Sequence, residues 1–336
     1  MTKFSPQSIT FEEAIDRSET CLRHVLLGNG FSINARPSFR YEYLFEKAPS
    51  LSAEVAAIFQ DRGTKDFEEV LDLVRRQDLD ASNELCRSQD EEVRSAFLGA
   101  LSAVHPHSSA FISRDEVDRC AAFLEHFVGL KRSPKLRGRV YTTNYDLLLY
   151  WVVVRTERRL WCYDNHEGKP YGVWNPEKNP SLVYLHGALH LYDTSKGQIM
   201  LRFDGQHSLI DQTRTRLNEG RFPVIVAEGT SEAKVARIQQ SKYLKRMSRY
   251  LMTGFKDENA VLFTYGHSFS DRDAHLLKLV GEGQIKTVYV GAYGGMDGPQ
   301  NQAIHDWTMT WAAARQNRGE APEVWVYDTA TFSPWR

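Results

Sequence analysis

Cysteine is scarce in this sequence, and its spacing excludes one class of metal protein. The 336 residues contain four cysteines, which are Cys21, Cys86, Cys120 and Cys162. No two of them form a CxxC pair, so a cysteine-rich zinc ribbon is not expected. The low count favours a reducing compartment, and the first residues lack the apolar core of a secretory leader, so we expect a cytoplasmic protein.

Long apolar runs and a charge excess are also missing. The longest apolar run covers residues 147–154, whereas a membrane-spanning helix needs about 18 residues. Lys and Arg total 42 against 43 Asp and Glu, so net charge gives no attraction to nucleic acid or to an anionic membrane. A hydrophobic share of 42% is enough for a sizeable core, and the length fits two domains or one large α/β domain with an insertion.

Short apolar segments alternate with helical patterns in the second half of the chain. The predicted strands are 24–27, 139–143, 182–186, 223–227, 260–265, 286–291 and 323–328. The predicted helices among the later strands are 231–255, 271–280 and 300–317. This alternation predicts an α/β fold with a Rossmann-like parallel sheet that carries helices on both faces.

Residues 39–131 have a different pattern, since nearly all of the segment is predicted to be helical. A capping box at Ser113 and Glu116 precedes an amphipathic stretch, and segments 66–76 and 91–104 repeat that style. We interpret 39–131 as an inserted helical domain, with 1–38 and 132–336 forming the Rossmann-type core. Residues 157–180 are predicted to be a loop-rich excursion.

Four polar or glycine-rich motifs follow predicted strands. They are Gly-Asn-Gly-Phe-Ser at 28–32, Thr-Thr-Asn-Tyr-Asp at 142–146, His-Gly at 186–187 and Gly-His-Ser-Phe-Ser-Asp-Arg-Asp at 266–273. Each has a purely structural alternative: a tight turn, helix caps at Asn144 and Asp146, a packed histidine, or a capping box from Ser270 to Asp273. Because the carboxyl ends of parallel strands meet at one edge, the set predicts a shared nucleotide crevice.

A metal site is not expected at the third motif. His190 follows His186 by four residues, a spacing that brings two side chains together only on a helix. Gly187 makes a helix unfavourable at this position.

The order of these motifs, with Arg40 after the first, resembles the sirtuin-like NAD-binding family over residues 20–40 and 138–330. Sirtuins carry Gly-Ala-Gly-x-Ser, Pro-Asp-Phe-Arg, Gln-Asn-x-Asp, His-Gly and Gly-Thr-Ser in this order. The Asn-Gly and Thr-Asn-Tyr-Asp variants look closer to the bacterial sirtuin-like NADases of anti-phage defence. The deacylases have a four-cysteine zinc module between the last two motifs, but no cysteine lies between His186 and Gly266, so the resemblance implies NAD+ cleavage without a metal.

The resemblance also implies roles for individual residues, with NAD+ as the substrate. Asn144 would hold the ribose and place a water, and His186 would accept the proton. The remaining residues implied in NAD+ binding are Gly28, Asn29, Gly30, Phe31, Ser32, Arg40, Thr143, Asp146, Gly187, Gly266, His267 and Ser268.

Within that set the resemblance assigns positions along the substrate. Gly28, Gly30 and Ser32 would meet the pyrophosphate, and Arg40 would lie over the nicotinamide ribose. Asp146 would accept a hydrogen bond from a hydroxyl group or order Asn144. Gly266 and Ser268 would border the adenosine.

We therefore expect an NAD+ glycohydrolase that releases nicotinamide and ADP-ribose, and that depletes NAD+ in anti-phage defence. By analogy with that family it would form a homo-oligomer and respond to a separate partner such as a HerA-type ATPase. The alternatives are a module that senses NAD+ or ADP-ribose without cleaving it, a protein deacylase or ADP-ribosyltransferase, and a structural subunit.

A basic stripe on the predicted helix 231–255 is a separate feature. Its members are Lys234, Arg237, Lys242, Lys245, Arg246 and Arg249. The pattern is typical of a solvated helix face, and the alternative is a surface for a partner or for nucleic acid.

Overall fold

A computed structural model describes residues 6–77, 84–132, 137–157, 159–168, 171–195, 197–296, 298 and 301–336. The first five residues, on which the leader prediction partly depends, lie outside this part of the chain. So does residue 300, where the last predicted helix begins. None of the described helices combines the length and the apolar character that crossing a membrane requires.

The described helices and strands are named here in chain order. The strands are β1 (Gln7–Ile9), β2 (Leu22–Leu27), β3 (Val140–Thr142), β4 (His166–Glu167), β5 (Gly172–Trp174), β6 (Leu182–Tyr184), β7 (Leu191–Thr194), β8 (Gly197–Met200), β9 (Ala260–Tyr265), β10 (Thr287–Ala292) and β11 (Glu323–Asp328). The helices are α1 (Phe11–Arg17), α2 (Asn29–Ala35), α3 (Tyr41–Glu46), α4 (Ala53–Arg62), α5 (Phe67–Gln77), α6 (Glu84–Val104), α7 (Arg114–Val128), α8 (Leu148–Arg155), α9 (Leu209–Asn218), α10 (Ser231–Gln240), α11 (Lys242–Gly254), α12 (Ala274–Glu282) and α13 (Gln302–Asn317).

Seven of the described strands form a parallel sheet in the order β1-β11-β10-β9-β2-β3-β6. The chain runs outward from β2 through β3 and β6, and then resumes on the other side of β2 with β9. The order of the strands therefore reverses at β2, and connections that diverge at such a point leave a crevice at the carboxyl ends. This sheet confirms the predicted Rossmann-like class.

Helices cover both faces of the sheet, as predicted. Successive residues of a strand point to opposite faces. The two polar residues of β2, Arg23 and His24, therefore show which helices cover each face. The Arg23 guanidinium donates to the carbonyl oxygens of Ile15 on α1 (3.0 Å) and His126 on α7 (3.3 Å). The His24 ring lies on the opposite face, with Nε2 3.1 Å from the carbonyl oxygen of Gly254 at the end of α11.

The segment 39–131 is helical, and its last helix, α7, packs against the parallel sheet. α7 begins with the predicted capping box at Ser113 and Glu116, and it packs on β2 and β3 as their crossover helix. α3 and α4 pack on α6, which also packs on α5, with Phe59, Phe67 and Phe97 in a chain of aromatic contacts. The division of the chain into two domains stays a prediction.

One prediction of local structure is wrong, and another, the loop-rich excursion, is incomplete. Residues 223–227 do not form a strand: they bind the chain that follows β6, with the N–H of Val226 donating to the carbonyl oxygen of His186 at 2.9 Å and a single bridge from Ile225 to Gly187. Residues 157–180 contain β4 and β5, which join β7 and β8 in an antiparallel sheet of order β4-β5-β8-β7. Strands of two to four residues are too short to show the alternation by which sequence identifies a strand.

Candidate functional site

A cavity of about 1070 Å³ opens where the strands of the parallel sheet end. Its wall follows the carboxyl ends of β2, β3, β6 and β9. The predicted site residues in the wall are Gly28, Asn29, Gly30, Arg40, Thr143, Asn144, Asp146, His186, Gly266, His267 and Ser268. The predicted residues Phe31, Ser32 and Gly187 do not line the cavity. The crevice predicted from motifs far apart in sequence is therefore one space.

Three glycines in the wall fit together at the point where the strand order reverses. The N–H of Gly30 donates to the carbonyl oxygen of Gly266 at 2.8 Å. A Cβ atom on Gly28 would lie 2.6 Å from that same oxygen. Gly266 has φ +66°, and a Cβ there would lie 2.4 Å from the backbone nitrogen of Phe31. The glycines are needed because two turns meet, and the Gly30 N–H is bonded to protein rather than directed at a bound anion.

The side chain of Asn144 has one possible orientation. Its Nδ2 donates to the carbonyl oxygen of Gly28 at 3.0 Å and to Ser32 Oγ at 2.8 Å. Because a carbonyl oxygen only accepts, the amide nitrogen must face Gly28. The Asn144 Oδ1 atom is then buried with no hydrogen-bond partner in the described structure, so it can accept a hydrogen bond from a ligand in the cavity.

Ser32 and Asp146 support this amide from behind. Ser32 Oγ donates to Asp146 Oδ2 at 2.5 Å, and Asp146 Oδ1 accepts from the N–H of Leu148 at 2.9 Å. Burial raises the pKa of Asp146, and the Ser32 hydrogen bond opposes that shift. α8 begins at Leu148, so Asn144 does not cap it. Asp146 bonds the first turn of the helix, and through Ser32 it also orders Asn144.

A cluster of charged and imidazole side chains forms another part of the wall, with His275 joined to it through His186. His186 is 1% exposed, and its Nε2 lies 3.2 Å from His275 Nε2 and 3.9 Å from Asp273 Oδ1. Asp273 also approaches His267 Nε2 through Oδ2 (3.4 Å) and Lys234 Nζ through Oδ1 (2.9 Å). We call His186, His267, His275, Asp273 and Lys234 the histidine cluster.

Three members of the histidine cluster have shifted pKa values, which favour neutral imidazole at His186 and His275 and an ionised carboxylate at Asp273. Burial lowers the pKa of His186 well below its usual range, and the charge of Asp273 only partly opposes this. Burial also lowers the pKa of His275 to about 4. Burial alone would raise the pKa of Asp273, but contact with His267 and the charge of Lys234 hold it well below its usual range.

The tautomer of His267 follows from its contacts. The N–H of Phe269 donates to His267 Nδ1 at 3.1 Å, so that nitrogen carries a lone pair. The proton of a neutral His267 then lies on Nε2, the atom that faces Asp273.

Two structural predictions that involve Lys234 and Asp273 are wrong: the basic stripe on one helix and the capping box at Ser270. The helix 231–255 is broken at Ser241, whose side chain caps α11, so the six basic residues do not form one stripe. Lys234 is 3% exposed, and its Nζ contacts Glu68 Oε2 at 3.2 Å as well as Asp273. The predicted capping box at Ser270 is absent because the Asp273 carboxylate bonds Lys234 instead.

The rim of the cavity carries exposed polar groups. Arg40 follows a 3₁₀ turn, Pro37–Phe39, and stands at the start of α3 with its side chain exposed. Asn29 and Ser268 are also exposed. Arg272 lines the cavity and is bonded to Asp66 of the helical segment.

Sequence reasoning missed His275, Lys234 and Glu68 as members of the site. His275 stands at the start of α12, two residues after the motif 266–273, so extending that motif into the helix would have found it. Glu68 reaches the site from α5, and no local pattern connects it to the motifs.

Comparisons with known proteins complete the description of the site. None of the curated proteins matches the chain. A crystal structure described as a Sir2 homolog–NAD complex is similar, with 12% sequence identity and a TM-score of 0.39 over 93% of this chain and 98% of that one. The family model described as "Domain of unknown function (DUF4917)" matches residues 25–335, and the chain therefore belongs to this family.

Proposed function

We propose that the protein is an NAD+ glycohydrolase that cleaves the bond between nicotinamide and ribose. One observation carries the proposal: an amide oxygen of fixed orientation on Asn144 and a neutral, buried His186 line the same cavity. The order of the four motifs and their convergence on this cavity support NAD+ as the substrate. A volume of about 1070 Å³ is slightly above the usual range for ligand pockets, about 300–1,000 Å³.

Asn144 fits the demands of the proposed transition state. Cleavage of a glycosidic bond passes through an oxocarbenium-like ribose. Nicotinamide leaves as a neutral molecule, so no acid is needed to protonate it. The unpartnered Oδ1 of Asn144 would accept a hydrogen bond from a ribose hydroxyl or from the attacking water, and its orientation costs nothing during the reaction because Ser32 and Gly28 already hold the amide.

His186 would act as the base. Water adds to the ribose carbon as the bond to nicotinamide breaks, and the water proton passes to the imidazole. A base must be unprotonated to work, and the lowered pKa of His186 keeps it neutral through physiological pH. Asp273, 3.9 Å away, would stabilise the transient imidazolium by its negative charge.

The test is incubation of the purified protein with NAD+, both alone and with a candidate HerA-type ATPase, and chromatography of the products. We expect nicotinamide and ADP-ribose in equal amounts. NAD+ that is bound but remains intact would indicate the sensing module, and cleavage only with an acyl-lysine peptide would indicate a deacylase. Either result overturns the proposal.

A role in anti-phage defence is part of the same proposal, supported by the resemblance of the motifs to the defence NADases. We propose that a homo-oligomer depletes cellular NAD+ when a partner such as a HerA-type ATPase activates it. Cellular NAD+ measured during phage infection, with and without the His186→Ala variant, tests this role.

A further inference from the structure

We infer that Lys234 is a positioning residue for His186, because its buried ammonium group fixes and neutralises the carboxylate that lies beside the imidazole. The inference rests on the proposed function, because that function is what makes His186 a base. Its evidence is the geometry of a chain of contacts that crosses from the helical segment to the site: Glu68, Lys234, Asp273 and His186.

The burial of Lys234 is the first step. Lysine is almost never fully buried unless it is paired, and Lys234 is 3% exposed. Its Nζ lies 2.9 Å from Asp273 Oδ1 and 3.2 Å from Glu68 Oε2. Both carboxylates together raise its pKa against the effect of burial, so the contacts favour the charged form of Lys234.

The second step is the charge that His186 experiences. The groups that face it are Asp273, Lys234, His267 and His275. A carboxylate alone beside an imidazole favours the protonated imidazole, which cannot accept a proton from water. Lys234 offsets that carboxylate, so His186 stays a base while Asp273 remains close enough to stabilise the imidazolium.

The third step is that Lys234 has a fixed anchor on its other side. Glu68 lies on α5, is buried, and receives a contact from the hydroxyl of Tyr145 at 3.1 Å through Oε1. The ammonium group is therefore held between a helical-segment carboxylate and the carboxylate of the histidine cluster. An alternative position would leave one buried carboxylate unpaired, which is costly.

The test is an NMR titration of the His186 ring in the wild type and in the double variant K234M/E68Q. The double variant removes one cation and one anion, so the net charge of the folded core is preserved. We expect the midpoint of the His186 titration to rise by about one pH unit or more, which is a tenfold gain in proton affinity. In an NAD+ assay the acidic limb of kcat should rise with it. Loss of burial would also raise the midpoint, so the amide chemical shifts of the residues around His186 should stay as in the wild type, and a rise that comes with loosened packing there would overturn the inference.

A matched control is available on the same helix. Arg75 of α5 pairs with the buried Glu228 at 3.1 Å, which is also a contact between the helical segment and the core. Neither residue contacts a histidine in the described part of the chain. The double variant R75M/E228Q should therefore leave the His186 midpoint unchanged.

Two further results would overturn the inference. One is a His186 midpoint in K234M/E68Q that equals that of the wild type. The other needs no variant and covers the case in which K234M/E68Q does not fold: a wild-type His186 that is already protonated at pH 7. Both results are NMR titrations that need no NAD+. A wild type that titrates as expected but does not cleave NAD+ would therefore refute the proposed function and leave the inference about Lys234 standing.

Discussion

Within the described residues, two groups of histidines each gather near one carboxylate, and they differ in what surrounds them. The histidine cluster lines the cavity. A second group lies beside the antiparallel sheet, where His166 Nδ1 is 3.2 Å from Asp164 Oδ1 and Nε2 contacts Gln198. His190 in this group is fully buried, with its ring 4.5 Å from that of Tyr150 and neither nitrogen hydrogen-bonded within the described residues.

Both groups combine imidazoles with one carboxylate, so burial of histidine does not by itself indicate chemistry. The histidine cluster has in addition a cavity and a buried cation, Lys234. The cavity lets a ligand reach His186, and the charge of Lys234 adds to burial in keeping the imidazole neutral beside a carboxylate. Access and charge balance separate the two groups, and each of the following predictions tests that separation.

The largest expected difference is in catalysis. His186→Ala and Asn144→Ala should each lower nicotinamide release by about 10²-fold or more, the usual range for loss of a proton-transfer residue, with the fold intact. Nicotinamide release measured at saturating NAD+, together with circular dichroism, checks this.

The companion variant is His190→Leu in the second group. It should keep nicotinamide release within about twofold of the wild type, because the His190 ring makes no hydrogen bond within the described residues and does not line the cavity. If His186→Ala cleaves NAD+ at the normal rate, or if His190→Leu loses cleavage while folded, the assignment of chemistry to the histidine cluster is wrong.

A smaller difference is expected in the stability cost of adding a methyl group to a backbone glycine at each group. Gly187 follows His186 with φ +77°, and a Cβ there would lie 1.8 Å from the carbonyl oxygen of Val224. Gly197 in β8 has φ +113° with nothing within 4 Å of a Cβ. Gly197→Ala should cost about 1–3 kcal/mol of backbone strain, and Gly187→Ala should cost more because backbone must also move.

Urea unfolding of the two alanine variants measures this difference. Equal losses of unfolding free energy would contradict this prediction. They would mean that the backbone after β6 moves away from Val224 at little cost in free energy.

The smallest effect is on stability at the second group. His190→Leu removes two buried nitrogens that lack partners, and the variant should be more stable at pH 7 by about 1 kcal/mol. Burial lowers the pKa of His190 to about 3, below its value of about 6.5 in the unfolded chain. The unfolded state therefore binds the proton first as pH falls below about 6.5, and the folded wild type loses up to about 1.4 kcal/mol per pH unit through this residue.

Urea midpoints at pH 7 and pH 5 for the wild type and His190→Leu check both parts of this prediction. The advantage of the variant should be larger at pH 5. An advantage that shrinks at pH 5 would mean that His190 is protonated in the folded protein.

The cavity could be predicted from sequence because its physical cause is local and repeated. Gly28, Asn144, His186 and Gly266 each follow an apolar segment, and parallel strands bring such positions to one edge. Lys234 could not be placed in the same way. Its helical period indicated a solvated face, and its burial depends on Glu68, a partner on a helix far away in sequence.

The paired turns at Gly28, Gly30 and Gly266 determine how alanine scanning of this protein can be read. A methyl group at any of the three would meet backbone atoms at 2.6 Å or less and would act as a wedge between the ends of β2 and β9. Inactive alanine variants at these positions would therefore report a displaced turn and give no information about nucleotide contact. The reporter suited to these positions is the chemical shift of each backbone amide during a ligand titration.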